Sequence, residues 1–206
     1  MSRSVKIYYG LSGAFKETTI KSKLNIGDDV LWSGIKQWKF WEKLIEERNN
    51  PCDLNLALLH LSRLKDKIYD GRMDETTLYV ERGITDMIYY WLQKFPAKNQ
   101  DTIITSLVEE ELKVLGIAAG GNMEPEKILL VQKDYDFVQE VVFKEETRTK
   151  CFPGGIKDYI NSQDRYVAFT KKYNNISKEV VINNAEEYLK ELGITWNPEI
   201  NKQTKS

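Results

Sequence analysis

The sequence has little histidine and little cysteine: His60, Cys52 and Cys151 are the only such residues among 206. A single histidine excludes zinc sites built from several histidines, and the two cysteines lack metal-ligand spacing. So few cysteines favour reduced thiols in a cytoplasmic protein. Leu56 and Leu64 lie one helical turn on either side of His60, so we expect a buried, hydrogen-bonded histidine rather than a ligand.

The chain also lacks a charge excess and a long apolar run. Its 30 basic and 31 acidic residues give a net charge of −1, which argues against a nucleic-acid partner. No segment approaches the roughly 20 apolar residues of a membrane span, so no membrane partner is expected. The length suits one domain with a sizeable core.

A glycine-rich turn follows the apolar run Val5–Tyr9. Its glycines let successive N–H groups point inward, and the positive end of the following helix points to the same place. Lys16, six residues after Gly10, has the spacing of the lysine that reaches the outer phosphates of a nucleotide. The pattern predicts a P-loop that binds ATP through Gly10, Ser12, Gly13, Ala14, Phe15, Lys16, Glu17 and Thr18.

The turn departs from the pattern G-x-x-x-x-G-K-[ST] at two positions. Phe15 replaces a glycine, and Glu17 replaces Ser or Thr, so the nearest hydroxyl is one residue further on, at Thr18. A carboxylate at Glu17 repels a triphosphate unless Mg²⁺ or Lys16 screens it. An ordinary strand–turn–helix connection is the alternative interpretation. As a loop lysine, Lys16 is expected to be exposed.

Predicted strands and helices alternate along the chain, which indicates an α/β fold with a parallel sheet and helices on both faces. The predicted strands are 5–9, 29–32, 76–80, 128–132 and 180–182. The predicted helices are 16–24, 35–48, 54–68, 84–93, 103–115 (ended by Gly116), 135–148, 160–173 and 185–192.

Charged residues follow the strand predicted at 76–80. Glu81 at a strand end can hold Mg²⁺, and Arg82 can grip a phosphate with two parallel hydrogen bonds. If this strand lies beside 5–9, both strand ends deliver their side chains to one crevice. The alternative is a surface ion pair at the strand end.

Three short segments together resemble the thymidylate kinase and deoxynucleoside kinase group of P-loop kinases. They are Gly10–Thr19, Tyr79–Asp86, and Asp164–Tyr166 with Phe169 and Tyr173. The third segment looks like the lid helix of thymidylate kinases, whereas Glu-Arg after the strand looks more like deoxynucleoside kinases. The resemblance implies a P-loop NTPase-type domain over 1–197 with a short lid at about 144–160, before a polar tail at 198–206.

The resemblance also implies roles for individual residues. Lys16 and the backbone of 13–17 would bind the donor phosphates, Thr18 and Glu81 would lie at Mg²⁺, and Arg82 would bind the acceptor. The implied lid cations are Arg148, Lys150 and Arg165, with Lys16, Arg82 and Arg148 in the catalytic role. An acidic residue after the second strand is also implied, with Asp28, Asp29 and Glu42 as candidates.

Trp38 and Trp41 lie in the region that borders the acceptor base in this group, although their helical spacing equally suits a core stripe. The predicted function is ATP- and Mg²⁺-dependent phosphoryl transfer to a nucleoside monophosphate such as dTMP. The alternatives are a deoxynucleoside kinase that acts on a 5′-hydroxyl and a degenerate nucleotide-binding or interaction module. Because thymidylate kinases are often dimers, a homodimer is a further expectation.

Overall fold

The computed structural model describes residues 4–32, 53–69, 76–94, 99–118, 124–144, 149 and 152–196. Short runs rich in Val, Ile, Leu and Tyr form the strands of this part of the chain, as their β propensity predicts. The strands are β1 (Ser4–Tyr9), β2 (Asp29–Leu31), β3 (Thr77–Glu81), β4 (Glu126–Gln132) and β5 (Lys178–Ile182).

The strands form one parallel sheet in the order β2-β3-β1-β4-β5. β1 lies at its centre, where Ile7 is opposite Val80 of β3 on one side and Lys127 of β4 on the other. The carboxyl ends of β1, β3 and β4 therefore meet at one edge of the sheet. Ligands of open parallel sheets bind at that edge.

Helices cover both faces of the sheet, as predicted. Along β1 the side chains alternate: Ile7 and Tyr9 pack in a cluster with Tyr159, whereas Tyr8 packs with Ile20 on the opposite face. The helices are α1 (Lys16–Lys23), α2 (Asp53–Tyr69), α3 (Ile84–Lys94), α4 (Gln100–Ala118), α5 (Tyr135–Glu140), α6 (Ile156–Tyr173) and α7 (Ala185–Glu191).

The prediction that Gly116 ends a helix is wrong. α4 begins earlier than predicted and continues through Gly116 to Ala118. The preceding turn buries Val114 and Leu115 in the core. That burial outweighs the roughly 1 kcal/mol that a glycine costs inside a helix.

The prediction of a helix over 135–148 is also wrong at its carboxyl end. α5 stops at Glu140, and a short 3-10 turn follows at Val142–Lys144. Val142 is buried there, with one methyl carbon 2.9 Å from the position that a Cβ on Gly13 would take. Packing beneath the glycine turn therefore overrides the local helical pattern, and α6 then begins at Ile156 rather than at 160.

Some predictions lie outside the described residues, namely the helix at 35–48, the tail at 198–206 and most of the lid before Phe152. Within the described helices, none is both long and apolar enough to cross a membrane.

Candidate nucleotide-binding site

The turn between β1 and α1 is closed by a hydrogen bond from the Ala14 N–H to the Leu11 carbonyl, 3.2 Å long. Both glycines of this turn, Gly10 and Gly13, are sterically required. A Cβ on Gly10 would lie 2.9 Å from the Leu130 carbonyl oxygen, and Gly13 has a φ of 89°. The chain therefore uses these glycines to bring the turn against the end of β4.

Phe15 has a left-handed backbone, with φ 56° and ψ 23°, at the position where the pattern has its second glycine. Such a conformation costs a non-glycine residue about 1–2 kcal/mol. The ring packs 5.0 Å from that of Phe137 and 6.0 Å from that of Tyr188. Aromatic packing thus supports a glycine-like backbone at a position that has a large side chain.

Lys16 is the first residue of α1 and is only 5% exposed, so the expectation of an exposed lysine is wrong. Its Nζ donates hydrogen bonds to the carbonyl of Gly10 and to that of Leu11, the latter over 3.2 Å. The lysine folds back over its own turn because those carbonyls can solvate a buried ammonium group. This places the ammonium group inside the curl of the turn.

The three side chains after Lys16 differ in exposure and in their hydrogen-bond partners. Glu17 is exposed and pairs with Lys21 one turn later, with 2.5 Å between Nζ and Oε1. Thr19 is buried, and its hydroxyl bonds the Phe15 carbonyl and the Tyr188 hydroxyl, each over 2.8 Å. Thr18 is half-buried. Because Thr19 is engaged in packing, Thr18 stays the candidate hydroxyl for a metal ion.

Arg82 lies directly beside the glycine turn, because β3 is paired with β1 and Glu81 is opposite Tyr8. The Arg82 N–H donates to the Tyr8 carbonyl over 2.9 Å, and its φ is 72°. Within the described part of the chain, the buried Arg82 Nε has no hydrogen-bond partner. The predicted adjacency of the two strand ends is therefore confirmed, and a buried donor remains unsatisfied next to the turn.

Asp86 and Tyr166 lie within the segments that resemble the kinase group, but the sequence predicts no role in this site for either of them. Asp86 lies one helical turn after Arg82 and is 7% exposed. The Tyr166 hydroxyl donates to Asp86 Oδ1 over 2.5 Å and accepts the Gly10 N–H over 2.8 Å. Burial raises the pKa of Asp86 to about 6, against the opposing effects of Lys16, Tyr166 and Arg82. The sequence feature that could have pointed to Asp86 is its position four residues after Arg82, one helical turn away.

One face of α6 carries the contacts to the turn. The Tyr159 hydroxyl donates to the Ser12 carbonyl over 2.9 Å, and Gln163 bonds the backbone of Gln132. Gln132 in turn donates to the Gly13 carbonyl over 3.3 Å. The helix therefore supports the turn through polar side chains rather than through apolar packing alone.

Arg165, predicted as a lid cation, is exposed on α6, whereas the next residue, Tyr166, is buried. Phe169, also part of the resemblance, packs 5.1 Å from Tyr89 and 5.0 Å from Tyr173. The aromatic residues of this segment thus contribute to packing, and Tyr166 rather than Arg165 contacts the glycine turn.

Asp28 and Asp29 are wrong as candidates for an acidic residue after the second strand. They lie at the amino end of β2, at the edge of the sheet away from the glycine turn. Asp28 Oδ1 accepts the Thr77 N–H over 2.7 Å, and Asp29 pairs with Lys67 over 2.9 Å. Their roles are structural.

Beneath the site, Glu111 is fully buried and accepts hydrogen bonds from His60 over 3.0 Å and from the Ile84 N–H over 2.8 Å. His60 is 5% exposed, as predicted for a satisfied histidine. Glu111 thereby caps the first turn of α3, the helix that follows Arg82. This contact helps to hold the turn between β3 and α3.

Several predicted site residues lie outside the described part of the chain: Trp38, Trp41, Glu42, Arg148 and Lys150. Among the residues that are described, no group of three or more His, Cys, Asp or Glu side chains could hold a metal ion. Glu81 is half-buried at the end of β3. A magnesium ion at this edge would need ligands from phosphate oxygens and water as well as from protein.

The similarity of this chain to known proteins lies in its structure rather than in its sequence. No protein-family model and no curated protein sequence matches it. A thymidylate kinase from Candida albicans superposes with a TM-score of 0.52 at 15% identity, over 99% of this chain and 93% of that one. A thymidylate kinase from Ehrlichia chaffeensis gives a TM-score of 0.47 at 12% identity, over 88% and 87% of the two chains. The chain therefore has the α/β P-loop fold of the Candida albicans thymidylate kinase.

Proposed function

We propose that the protein transfers the γ-phosphoryl group of ATP to a nucleoside monophosphate, with dTMP as the preferred acceptor. One observation carries the proposal: the buried Arg82 Nε has no hydrogen-bond partner among the described residues and lies beside the glycine turn that holds Lys16. Two cations at one edge of the sheet, Arg82 directly after β3 and Lys16 at the start of α1, form a site for a polyanion.

The residues present fit the donor phosphates. The N–H groups of residues 13–17 would hold the phosphate oxygens, and the Lys16 ammonium would exchange the carbonyls of Gly10 and Leu11 for them. Magnesium, when bound, would neutralise charge on the phosphates, and Thr18 and Glu81 are the residues that would hold it. Such a reaction needs positioning and charge neutralisation more than covalent chemistry.

The acceptor side of the proposal depends on Arg82. Its guanidinium group can bind an acceptor phosphate with two parallel hydrogen bonds. We further propose that Trp38 and Trp41 border the acceptor base, and that Arg148, Lys150 and Arg165 belong to a lid whose closure excludes water. A nucleoside acceptor is the alternative within kinases, since Glu81-Arg82 resembles the deoxynucleoside kinase pattern.

A second candidate function is nucleotide binding without catalysis. Glu17 replaces the hydroxyl residue that would contact the metal ion, and its carboxylate pairs with Lys21 instead. A site that binds triphosphate but misplaces Mg²⁺ would be a binding module rather than an enzyme.

A ligand panel with two readouts separates these functions. Thermal shifts with ATP, dTMP and thymidine, each with Mg²⁺, measure binding, because a ligand at 100 times its Kd adds about 2.7 kcal/mol of stability. Formation of ADP with each acceptor measures transfer. A shift with ATP together with turnover of dTMP supports the proposal. A shift without turnover favours the binding module, and no shift with any nucleotide contradicts both.

A further inference from the structure

Gly10 is held from both sides. Its N–H donates to the Tyr166 hydroxyl over 2.8 Å, and its carbonyl accepts a hydrogen bond from the Lys16 ammonium group. β1 ends at Tyr9, so Gly10 is the first residue of the turn. A shift of this residue would therefore move the start of the turn and the group that orients Lys16.

The geometry of Tyr166 depends on Asp86. A tyrosine hydroxyl has one hydrogen, and the Tyr166 hydroxyl that accepts the Gly10 N–H can donate that hydrogen to another acceptor. Because Tyr166 is buried, an unpaired donor there would be costly. Asp86 Oδ1 is that acceptor, 2.5 Å away and buried. The charged and titratable groups around the carboxylate come from five elements: Tyr9 from β1, Lys16 from α1, Arg82 directly after β3, Glu111 from α4 and Tyr166 from α6.

The hydrogen bonds from Asp86 through Tyr166 to Gly10 join three separate elements of the fold. Asp86 lies in the first turn of α3 and Tyr166 in the middle of α6, whereas Gly10 follows the central strand. All three residues have less than a tenth of their surface exposed, so water does not compete strongly for these hydrogen bonds. The contacts therefore connect two helices to the turn in a single orientation.

We propose that Tyr166, held by the Asp86 carboxylate, is a positioning residue that fixes the Gly10 end of the turn in the geometry that binds phosphate. The effect on ATP rests on the proposed function, but the effect on the turn does not. Neither residue needs to touch the nucleotide, because both act through Gly10 and thereby on Lys16.

Hydrogen–deuterium exchange of the nucleotide-free protein tests the proposal directly. In Tyr166→Phe and in Asp86→Ala, we expect the amides of the segment 8–16 to exchange about tenfold faster, since each variant breaks the chain of buried hydrogen bonds. Asp86→Asn should restore slow exchange, because its amide oxygen can still accept from Tyr166. Tyr173→Phe is the matched control: it removes another tyrosine–aspartate hydrogen bond of α6, the one to exposed Asp101.

Two results would overturn the positioning role. One is unchanged exchange of segment 8–16 in both Tyr166→Phe and Asp86→Ala. The other is equally faster exchange over every strand, which would mean a general loss of stability. Tyr166→Phe and Asp86→Ala each remove the hydrogen bond between Tyr166 and Asp86, one from the donor side and one from the acceptor side. If one variant does not fold, exchange of segment 8–16 in the other still tests the positioning role.

Calorimetric titration with ATP then tests the consequence for binding. We expect the Kd for ATP to rise about tenfold in Tyr166→Phe, with the acceptor KM unchanged and with Asp86→Asn close to the original protein. Faster exchange together with unchanged ATP affinity would contradict the link to phosphate binding. If the original protein binds no ATP while its variants exchange faster, the proposed function fails and the positioning role stands.

Discussion

The ring of Phe15 packs 5.0 Å from the ring of Phe137 while the Phe15 backbone occupies the left-handed region. The P-loop pattern has glycine at this position because glycine adopts positive φ without strain. Here the contact with α5 stabilises that backbone for a large side chain. A mismatch to the sequence pattern is therefore compatible with the backbone geometry that the pattern encodes.

Substitution of Phe15 should separate the backbone strain from the aromatic packing. Both Phe15→Ala and Phe15→Gly lose the contacts with Phe137 and Tyr188, but only glycine relieves the positive φ. We expect the alanine variant to be less stable than the glycine variant by about 1 kcal/mol. Urea unfolding of both variants measures the difference, and equal stabilities would contradict the strain.

Lys16→Ala should abolish phosphoryl transfer. Loss of the only lysine in the turn removes the charge that would stabilise the transferring group, so we expect kcat to fall by about 100-fold or more. Lys23→Ala, at the exposed end of the same helix, is the control and should keep full activity. Because Lys16 is buried, a melting curve must accompany the assay. Undiminished turnover in folded Lys16→Ala protein would exclude the P-loop role.

Glu17→Thr should strengthen binding of ATP with Mg²⁺ by a few-fold. The change removes a carboxylate beside the phosphates and restores a hydroxyl that can bind the metal ion. Glu17→Gln removes the charge without adding the hydroxyl, so a comparison of the two by calorimetry separates the causes. The gain should be modest because Lys21 already pairs with Glu17. Weaker binding in both variants would mean that Glu17 itself has a functional role.

Arg82→Lys should distinguish the two classes of acceptor. With a monophosphate acceptor, lysine cannot make the two parallel hydrogen bonds that the guanidinium group makes to the phosphate. The acceptor KM should therefore rise sharply, and ATP binding should stay unchanged. With a nucleoside acceptor, the same change should lower kcat, since the charge develops only during transfer. We expect the first outcome. Steady-state kinetics with dTMP and with thymidine distinguish the two acceptor classes. Unchanged kcat and KM for both acceptors would mean that Arg82 is not part of the site.

Asp86→Asn should make the free energy of unfolding depend less on pH between pH 4 and pH 7. Because burial raises the folded-state pKa of Asp86 to about 6, its contribution to stability is fully present below pH 4 and is lost as the pH rises through 6. The stability of the variant relative to the original protein should thus increase by up to about 3 kcal/mol between pH 4 and pH 7. Urea unfolding across this range measures it.

Asp101→Asn is the matched control for that experiment, with the opposite sign. Hydrogen bonds from Tyr173 and Lys172 lower the pKa of Asp101, so its contribution is present above the unfolded-state pKa and is lost as the pH falls. This variant should therefore lose stability relative to the original protein as the pH rises. Identical pH profiles for Asp86→Asn and the original protein would contradict a buried, titrating Asp86.

The local pattern of the sequence was sufficient for the central part of the fold. The apolar run before Gly10, the lysine six residues later and the β-rich segment before Glu81 predict β1, the turn and β3. These features are local, because strand propensity and glycine conformation depend on neighbouring residues. Their adjacency follows from the parallel sheet that alternating strands and helices predict.

Tertiary structure alone decided which further side chains reach the turn. Arg165 and Tyr166 are neighbours in sequence, but successive residues of a helix point about 100° apart, and only the docking of α6 selects Tyr166. The contact with Gly10 spans 156 residues of sequence. The burial of Lys16, the burial of the Arg82 Nε and the raised pKa of Asp86 likewise arise from packing. Such contacts between distant segments leave no local signal, because they depend on how whole elements pack together.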